Sequence, residues 1–141
     1  MAKKFKSVLF VLVLLVLVIF GIGASDVNYK IYEVRNYGVP NFELIITEYD
    51  NYLELCEKYQ ISIDYSEEYF EKDGLVFVYK IFYSSNGRIV INKIDIEDSK
   101  YVVDMEEKFD TGYMSEGIIY RVFLFEESKE ELSSIEKVII N

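Results

Sequence analysis

The stretch LVFVYKIFY, from Leu75 to Tyr83, is nearly continuous in apolar residues. A strand with one wet face alternates apolar and polar residues, so this run predicts a central strand covered on both faces. A second such run, IIYRVFLF, extends from Ile118 to Phe125. Each run contains one cation, Lys80 or Arg121. Either could be a buried charge with a role, although such residues more often reach solvent at a sheet edge or pair with a neighbouring glutamate.

The residues after the first run, Ser84-Ser85-Asn86-Gly87, contain the Asn-Gly pair that is typical of a tight β-hairpin. A strand pattern returns over Arg88–Ile96. Its isoleucines change parity between Ile91 and Ile94, which predicts a β-bulge near Asn92 and Lys93. The sequence therefore predicts a hairpin whose tip is Ser84 to Arg88.

The flanking segments add one helix and further strands. Tyr52, Leu55, Cys56 and Tyr59 fall on one face of a helix predicted over 48–59, with Thr47 as its N-cap. A helical turn is expected over 130–135. Strands are predicted at Tyr29–Arg35, Phe42–Ile46, Tyr101–Phe109 and Lys137–Ile140. The expected fold is α+β, with the helix packed on a mainly antiparallel, meander-like sheet.

The first 25 residues have the three parts of a secretory signal peptide. Lys3, Lys4 and Lys6 precede the apolar run Val8–Phe20, and small residues follow it. We therefore expect residues 1–25 to be a signal peptide and 26–141 a single domain. The alternative is an uncleaved anchor over residues 8–24, although the run is short of the roughly 20 residues that span a bilayer.

Composition restricts the chemistry of residues 26–141. They carry 12 basic and 25 acidic groups, so nucleic acid and anionic lipid are poor partners. The chain has no histidine, which excludes Ser-His-Asp and Cys-His catalysis. It has one cysteine, Cys56, and therefore no intramolecular disulfide. We expect Cys56 to be buried and inert, and the 13 tyrosines and 10 phenylalanines to supply the core.

The acidic residues suggest two further chemistries, and both are weak here. Asp95, Glu97 and Asp98 could bind calcium, but alternate strand residues lack the spacing of a calcium loop. Paired carboxylates could hydrolyse a glycosidic bond, but that reaction needs a deep cleft with one carboxyl kept protonated. We expect no cofactor and no metal.

Several segments resemble a known family. They are Tyr65–Phe70, the strand Leu75–Val78, the turn Ser85–Ile89 and the late strand Ile118–Phe125. Together they look like small exported proteins of Gram-positive bacteria and, more distantly, the PrcB-like C-terminal domain. That domain's glycine-rich hairpin with a following aromatic is reduced here to Asn86-Gly87-Arg88. The resemblance implies a non-enzymatic role in protein binding, such as stabilising a surface protease complex.

These observations favour an exported protein-interaction module. The expected contact residues are Ser84, Ser85, Asn86, Gly87 and Arg88, together with exposed tyrosines. The expected partner is an extracellular or cell-surface protein, and the membrane would be involved only through an uncleaved N-terminal segment. The alternative is a carboxylate-based hydrolase or a domain that binds cations or sugars. An enzyme should show converging acids in a cleft, and a binding module an exposed apolar patch.

Overall fold

The computed structural model describes residues 27–110 and 115–141. The predicted signal segment lies outside the described residues. The helices are α1 (Tyr49–Tyr59), a short 3-10 helix (Glu68–Glu71) and α2 (Lys129–Ser133). The strands are β1 (Tyr29–Val34), β2 (Phe42–Ile46), β3 (Asp73–Ser84), β4 (Arg88–Glu97), β5 (Lys100–Lys108), β6 (Glu116–Ser128) and β7 (Lys137–Ile140).

The strands form two sheets. Sheet A has the order β1-β6-β3-β2, and all its neighbours are antiparallel. Sheet B has the order β4-β5-β7, in which β4 and β5 are antiparallel and β5 and β7 are parallel. The prediction of an α+β fold with mainly antiparallel strands is confirmed.

Strand β3 is the middle of a three-layer arrangement. Because successive side chains point to opposite faces, Leu75, Phe77 and Tyr79 pack towards α1. Val76 and Val78 pack towards sheet B, in a second core with Tyr101 and Val103 of β5. This arrangement confirms that the run Leu75–Tyr83 is covered on both faces over most of its length.

The helix α1 closes the first core. Tyr52, Cys56 and Tyr59 are buried, and Leu55 is half-buried, as the helical spacing predicts. The N-cap is Glu48 rather than Thr47, and no side chain caps the helix start. Burial raises the pKa of the Cys56 thiol, and the prediction that this cysteine is buried is confirmed.

The predicted hairpin over Ser84 to Arg88 is wrong, because β3 and β4 belong to different sheets. The Asn-Gly segment connects the two sheets, and β3 pairs with β2 and β6. The two-residue hairpin is instead Asp98-Ser99 between β4 and β5, where both residues have positive φ (51° and 62°). Two successive positive φ angles are typical of a type I′ turn. The β-bulge is confirmed by a register shift between Ile91 and Lys93.

No helix of residues 27–110 and 115–141 is long and apolar enough to cross a membrane.

Candidate functional site

The segment between the two sheets is held to the start of β6 by short hydrogen bonds. Ser84 is 2% exposed, and its hydroxyl donates to Oδ1 of Asn86 at 2.9 Å. The same oxygen accepts from the backbone N–H of Ser115 at 2.9 Å. The backbone N–H of Ser85 donates to the Ser115 carbonyl at 3.1 Å. Ser84 and Asn86 therefore fix the connection in place. Ser85, between them, is exposed.

Gly87 and Arg88 complete the connection. A Cβ at Gly87 would overlap the Glu107 side chain, so glycine leaves room for that side chain beside the turn. Arg88 forms an exposed ion pair with Asp110 at 3.5 Å. An exposed pair of this kind stabilises a fold by at most about 1 kcal/mol, so Arg88 is available to other partners.

An exposed apolar surface lies directly before this connection. Tyr83 of β3 is 74% exposed, and Ile118 of β6 is 57% exposed. The register shift between Phe82 and Ser84 places Tyr83 opposite Gly117 and Ile118. Side-chain alternation puts both on the α1 side of sheet A, beside the half-buried pair Ile81 and Tyr120. We call these four residues, Ile81, Tyr83, Ile118 and Tyr120, the apolar patch.

The apolar patch is uncovered because α1 is much shorter than the strands beneath it. The helix has 11 residues and is about 16 Å long, at 1.5 Å per residue. β3 has 12 residues and extends about 40 Å, at 3.3 Å per residue. The helix therefore cannot cover the whole strand, and the end of β3 that carries Tyr83 is left open.

Two cations lie on the opposite face of the same strands. Lys80 and Arg121 are directly opposite each other in the register of β3 and β6. The Arg121 guanidinium lies 4.8 Å from the centre of the Phe82 ring, and Lys80 Nζ lies 5.6 Å from it. Nη2 of Arg121 also donates to the Gly87 carbonyl at 3.4 Å. Arg121 thereby binds the sheet connection, whereas no ion pair of Lys80 is formed within the described residues.

A notch opens beside Lys80 at the edge of sheet A. The pairing of β2 with β3 begins at Phe42 and Tyr79, so β2 leaves the later residues of β3 unpaired on that side. Next to this edge is a cleft of about 280 Å³. We call this cleft the notch; it is lined by residues 80–84 of β3 and 105–107 of β5.

A cluster of tyrosines and carboxylates lies at the other end of sheet A. The Tyr65 hydroxyl donates to Glu126 at 3.1 Å, and the Tyr69 hydroxyl donates to the Gly74 carbonyl at 2.7 Å. Burial raises the pKa of the Glu127 carboxyl and of the Tyr65 and Tyr69 hydroxyls. Burial also raises the pKa of Tyr101, next to Glu127.

Glu126 and Glu127 border one open cleft together with Asp73 and Tyr69. They are consecutive on β6, so their side chains project from opposite faces of sheet A. Glu126 bonds Tyr65 in the core under α1, and Glu127 lies near Tyr101 in the core against sheet B. A glycosidase mechanism requires two carboxyls that face one sugar ring, whereas these two leave the strand in opposite directions.

A further group of acidic residues lies at the surface. An open acidic cleft is bounded by Glu48, Asp50, Glu67, Glu68 and Glu71, with Lys129 at its rim. Of the suggested calcium ligands, Asp95 is bound to Lys93 at 3.0 Å, and Asp98 is part of the hairpin turn. Across the described part of the chain, no three acidic, cysteine or histidine side chains converge as a metal site.

Comparison of the chain with protein-family models, curated proteins and solved structures finds no match. The resemblance to the PrcB-like C-terminal domain therefore stays a prediction. The surface of the chain itself is the basis on which a function can be inferred.

The sequence predicted contact residues next to this site but did not predict the apolar patch. Ser84 to Arg88 directly follow Tyr83, yet the apolar patch lies in the strands themselves. Tyr83 and Ile118 belong to runs that are apolar throughout, and nothing in those runs distinguishes a buried residue from an exposed one. The only signal in the sequence was length, because the apolar run Leu75–Tyr83 is longer than the helix predicted over 48–59.

Proposed function

We propose that this protein is an exported, non-enzymatic protein-interaction module, with the apolar patch as its contact surface. Ser85, Asn86, Gly87 and Arg88 form the polar rim next to that patch. The expected partner is an extracellular or cell-surface protein, and the family resemblance suggests that binding stabilises a complex such as a surface protease.

The exposed pair Tyr83 and Ile118 carries this proposal. Large apolar side chains on adjacent strands offer rigid contact area at low entropic cost, and tyrosine is enriched among residues that dominate binding energy. The polar groups next to them are already arranged by the hydrogen bonds of Asn86 with Ser84 and Ser115. An apolar centre with a preorganised polar rim is the usual composition of a protein interface.

The patch also lies far from the N-terminal end of the described chain. β1 begins at Tyr29, opposite Phe125 of β6. Ile118 is seven residues earlier on β6, or about 23 Å away at 3.3 Å per residue. If the N-terminal segment is retained as an anchor, the patch is therefore positioned away from the point of attachment. If it is cleaved, the patch is equally accessible on the released domain.

The test uses the domain from residue 26 as bait against proteins released from the surface of the producing cell. Tyr83→Ser and Ile118→Thr each remove apolar contact area from the patch. Ile63→Ser is the matched control, since Ile63 is 58% exposed but lies in the loop after α1. All three positions are exposed, so each variant should keep the wild-type fold, which circular dichroism would verify.

We expect one partner to be retained by the wild type and by Ile63→Ser. Its affinity should fall about tenfold or more for Tyr83→Ser and Ile118→Thr, as for truncated hot-spot residues. Equal retention by all four proteins would contradict the proposal, because binding would then not involve the patch.

A further inference from the structure

β2 is the outer strand of sheet A, and its free edge faces a groove. The strand pairs with β3 on one side, and no strand of the described residues pairs with it on the other. Two clefts border this edge, one of about 270 Å³ against α1 and one of about 390 Å³ against β7. Leu44 borders both clefts and is 43% exposed. The edge of β2 is therefore open between a wall from α1 and a wall from β7.

Two hydrogen bonds show which residues of β3 bond to β2. The N–H and C=O of a residue in an antiparallel ladder point to the same neighbour, and this direction alternates along the strand. The Ile81 N–H donates at 2.8 Å to Oδ1 of Asn41, the residue directly before β2. On the far side of the sheet, the Glu126 N–H donates to the Asn28 carbonyl next to β1, so odd-numbered residues of β6 face β3. Their partners on β3 are even-numbered over the continuous register of residues 73–82, which leaves the odd-numbered residues to bond β2.

The same alternation gives the direction of the backbone groups of β2. Its register with β3 has no shift, and Leu44 is opposite an odd-numbered residue of β3. Leu44 therefore bonds to β3, while Glu43 and Ile45 direct their N–H and C=O into the groove. The carbonyl of Ile46 agrees with this phase, because its oxygen lies 2.6 Å from the place of a Cβ on Gly74 and thus points towards β3.

From this edge, we infer that an extended segment of another protein, in which apolar residues alternate with lysine or arginine, adds to sheet A as a new outer strand beside β2. Backbone hydrogen bonds to Glu43 and Ile45 supply affinity in such strand addition, and alternate side chains supply specificity. This surface is separate from the apolar patch, so the inference does not rest on the proposed function.

The charges of the groove favour a basic segment. The charged residues are Glu54 on the α1 wall, and Glu43, Glu136 and Lys137 towards β7. Three carboxylates against one ammonium make the groove negative, and residues 26–141 as a whole carry 25 acidic against 12 basic groups. A base opposite Glu43 forms a favourable cross-strand pair, whereas an acid there is repelled.

The apolar positions of the segment follow from the other wall. Leu44 and the half-buried Leu55 line the cleft against α1. Side chains alternate between the two faces of a strand, so residues opposite Leu44 and opposite Glu43 enter different clefts. A segment that alternates apolar residues with bases therefore fits both walls at once.

Two other arrangements fit these observations less well. Antiparallel pairing of two copies of this chain about Leu44 would place each Glu43 opposite Ile45 of the other copy, and it would join two strongly acidic domains. The opposite edge of sheet A is β1, which carries one base and one acid, Lys30 and Glu33. Charge therefore selects no partner at that edge.

The test is binding of two short synthetic peptides to the full chain in a non-ionic detergent. Valine alternates with lysine in one peptide and with glutamate in the other. We expect the lysine peptide to bind at least about tenfold more tightly than the glutamate peptide. Glu43→Gln should weaken the lysine peptide about two- to fivefold, and Lys137→Gln should strengthen it, because the two substitutions change the charge of one cleft in opposite directions.

Glu43→Pro and Glu43→Ala separate the backbone contact from the charge. Both substitutions remove the exposed carboxylate, but only proline removes the outward N–H. Proline is tolerated at such edge positions, because β3 does not use this N–H. We expect the lysine peptide to bind Glu43→Pro at least about fivefold more weakly than Glu43→Ala.

Amide hydrogen exchange of the wild type gives a second measurement if the proline variant does not fold. With the lysine peptide bound, the Glu43 and Ile45 amides should exchange at least about tenfold more slowly, because they then donate to the new strand. The Leu44 amide already donates to β3 and is the internal control, so its exchange should change less.

Four outcomes would overturn strand addition at β2. These are equal binding of the two peptides, equal binding of the lysine peptide to Glu43→Pro and Glu43→Ala, slowing of exchange at Ile31 of β1 in place of Glu43, and dimerisation of the chain that Glu43→Pro abolishes. Failure of the proposed function is a different result. It would show as a partner whose binding ignores Tyr83→Ser and Ile118→Thr, two variants that should bind the lysine peptide as the wild type does.

Discussion

The hydroxyl oxygen of Tyr52 accepts a hydrogen bond of 2.9 Å from the backbone N–H of Asp64. The same oxygen lies 3.3 Å from the backbone nitrogen of Tyr65, which also donates to it. Tyr52 is fully buried near the start of α1, so this contact joins the helix to the loop that follows it. One buried phenol oxygen thus accepts from two backbone N–H groups that lie outside any helix or sheet.

Replacing Tyr52 with phenylalanine should destabilise the domain by about 1–3 kcal/mol, the cost of leaving a buried polar group unsatisfied. Urea unfolding would measure the loss. Tyr49→Phe removes the same atom from a half-buried position on the same helix, and should change stability by less than about 0.5 kcal/mol. Similar stabilities for Tyr52→Phe and the wild type would show that the hydroxyl does not organise the loop.

Gly74 is the second position where a small change should be costly. A Cβ there would lie 2.6 Å from the carbonyl oxygen of Ile46 and 2.7 Å from Cδ1 of Leu132. The Ile46 carbonyl belongs to β2 and cannot move without shifting the strand, so Gly74→Ala should cost about 1–3 kcal/mol in chemical denaturation. Gly38→Ala serves as comparison. Gly38 has φ of 71° but open space around it, so only backbone strain of about 1 kcal/mol is expected. A larger loss at Gly38 than at Gly74 would contradict this explanation.

The stability of the domain should also depend on the ionisation of Glu127. Burial raises the pKa of this carboxyl in the folded state above its unfolded value of about 4.3, so folding favours the protonated form. The stabilisation is full below the unfolded pKa and is lost as the pH rises through the folded pKa. Glu127→Gln should therefore gain stability relative to the wild type as the pH rises from about 4, and the gain should level off above the folded pKa.

Thermal unfolding at a series of pH values would follow this difference. Glu57→Gln removes one exposed carboxylate from α1 and is the control for net charge. If the stability of Glu127→Gln relative to the wild type changes with pH in the same way as that of Glu57→Gln, Glu127 is solvated like a surface acid.

Local sequence patterns predicted the elements more successfully than their partners. The strands Phe42–Ile46 and Lys137–Ile140 have the predicted bounds. The bulge between Ile91 and Lys93 was also visible, because a parity change is a property of neighbouring residues. The pairing of β3 with β6 joins residues far apart in the chain, and no local pattern specifies it. For the same reason, the Asn86-Gly87 signal indicated a turn but not that the turn changes sheets.

The candidate site depends on similar long-range information. Tyr83 is exposed because α1 ends before the strand does and because β2 pairs only as far as Tyr79. Both conditions concern the relative lengths of elements that meet only in the folded chain. Sequence patterns therefore placed the site within a few residues, while the exposed face and the open edge required the structure.

Site-specific photo-crosslinking tests the central claim, that the apolar patch is the surface by which this protein binds another. Benzoylphenylalanine would replace Tyr83, Ile118 or, as the control, Ile63 in the full chain expressed in the producing cell. We expect illumination to give the same heavier product from positions 83 and 118 and none from position 63. Products of equal yield from all three positions, or from position 63 alone, would contradict the proposed interface.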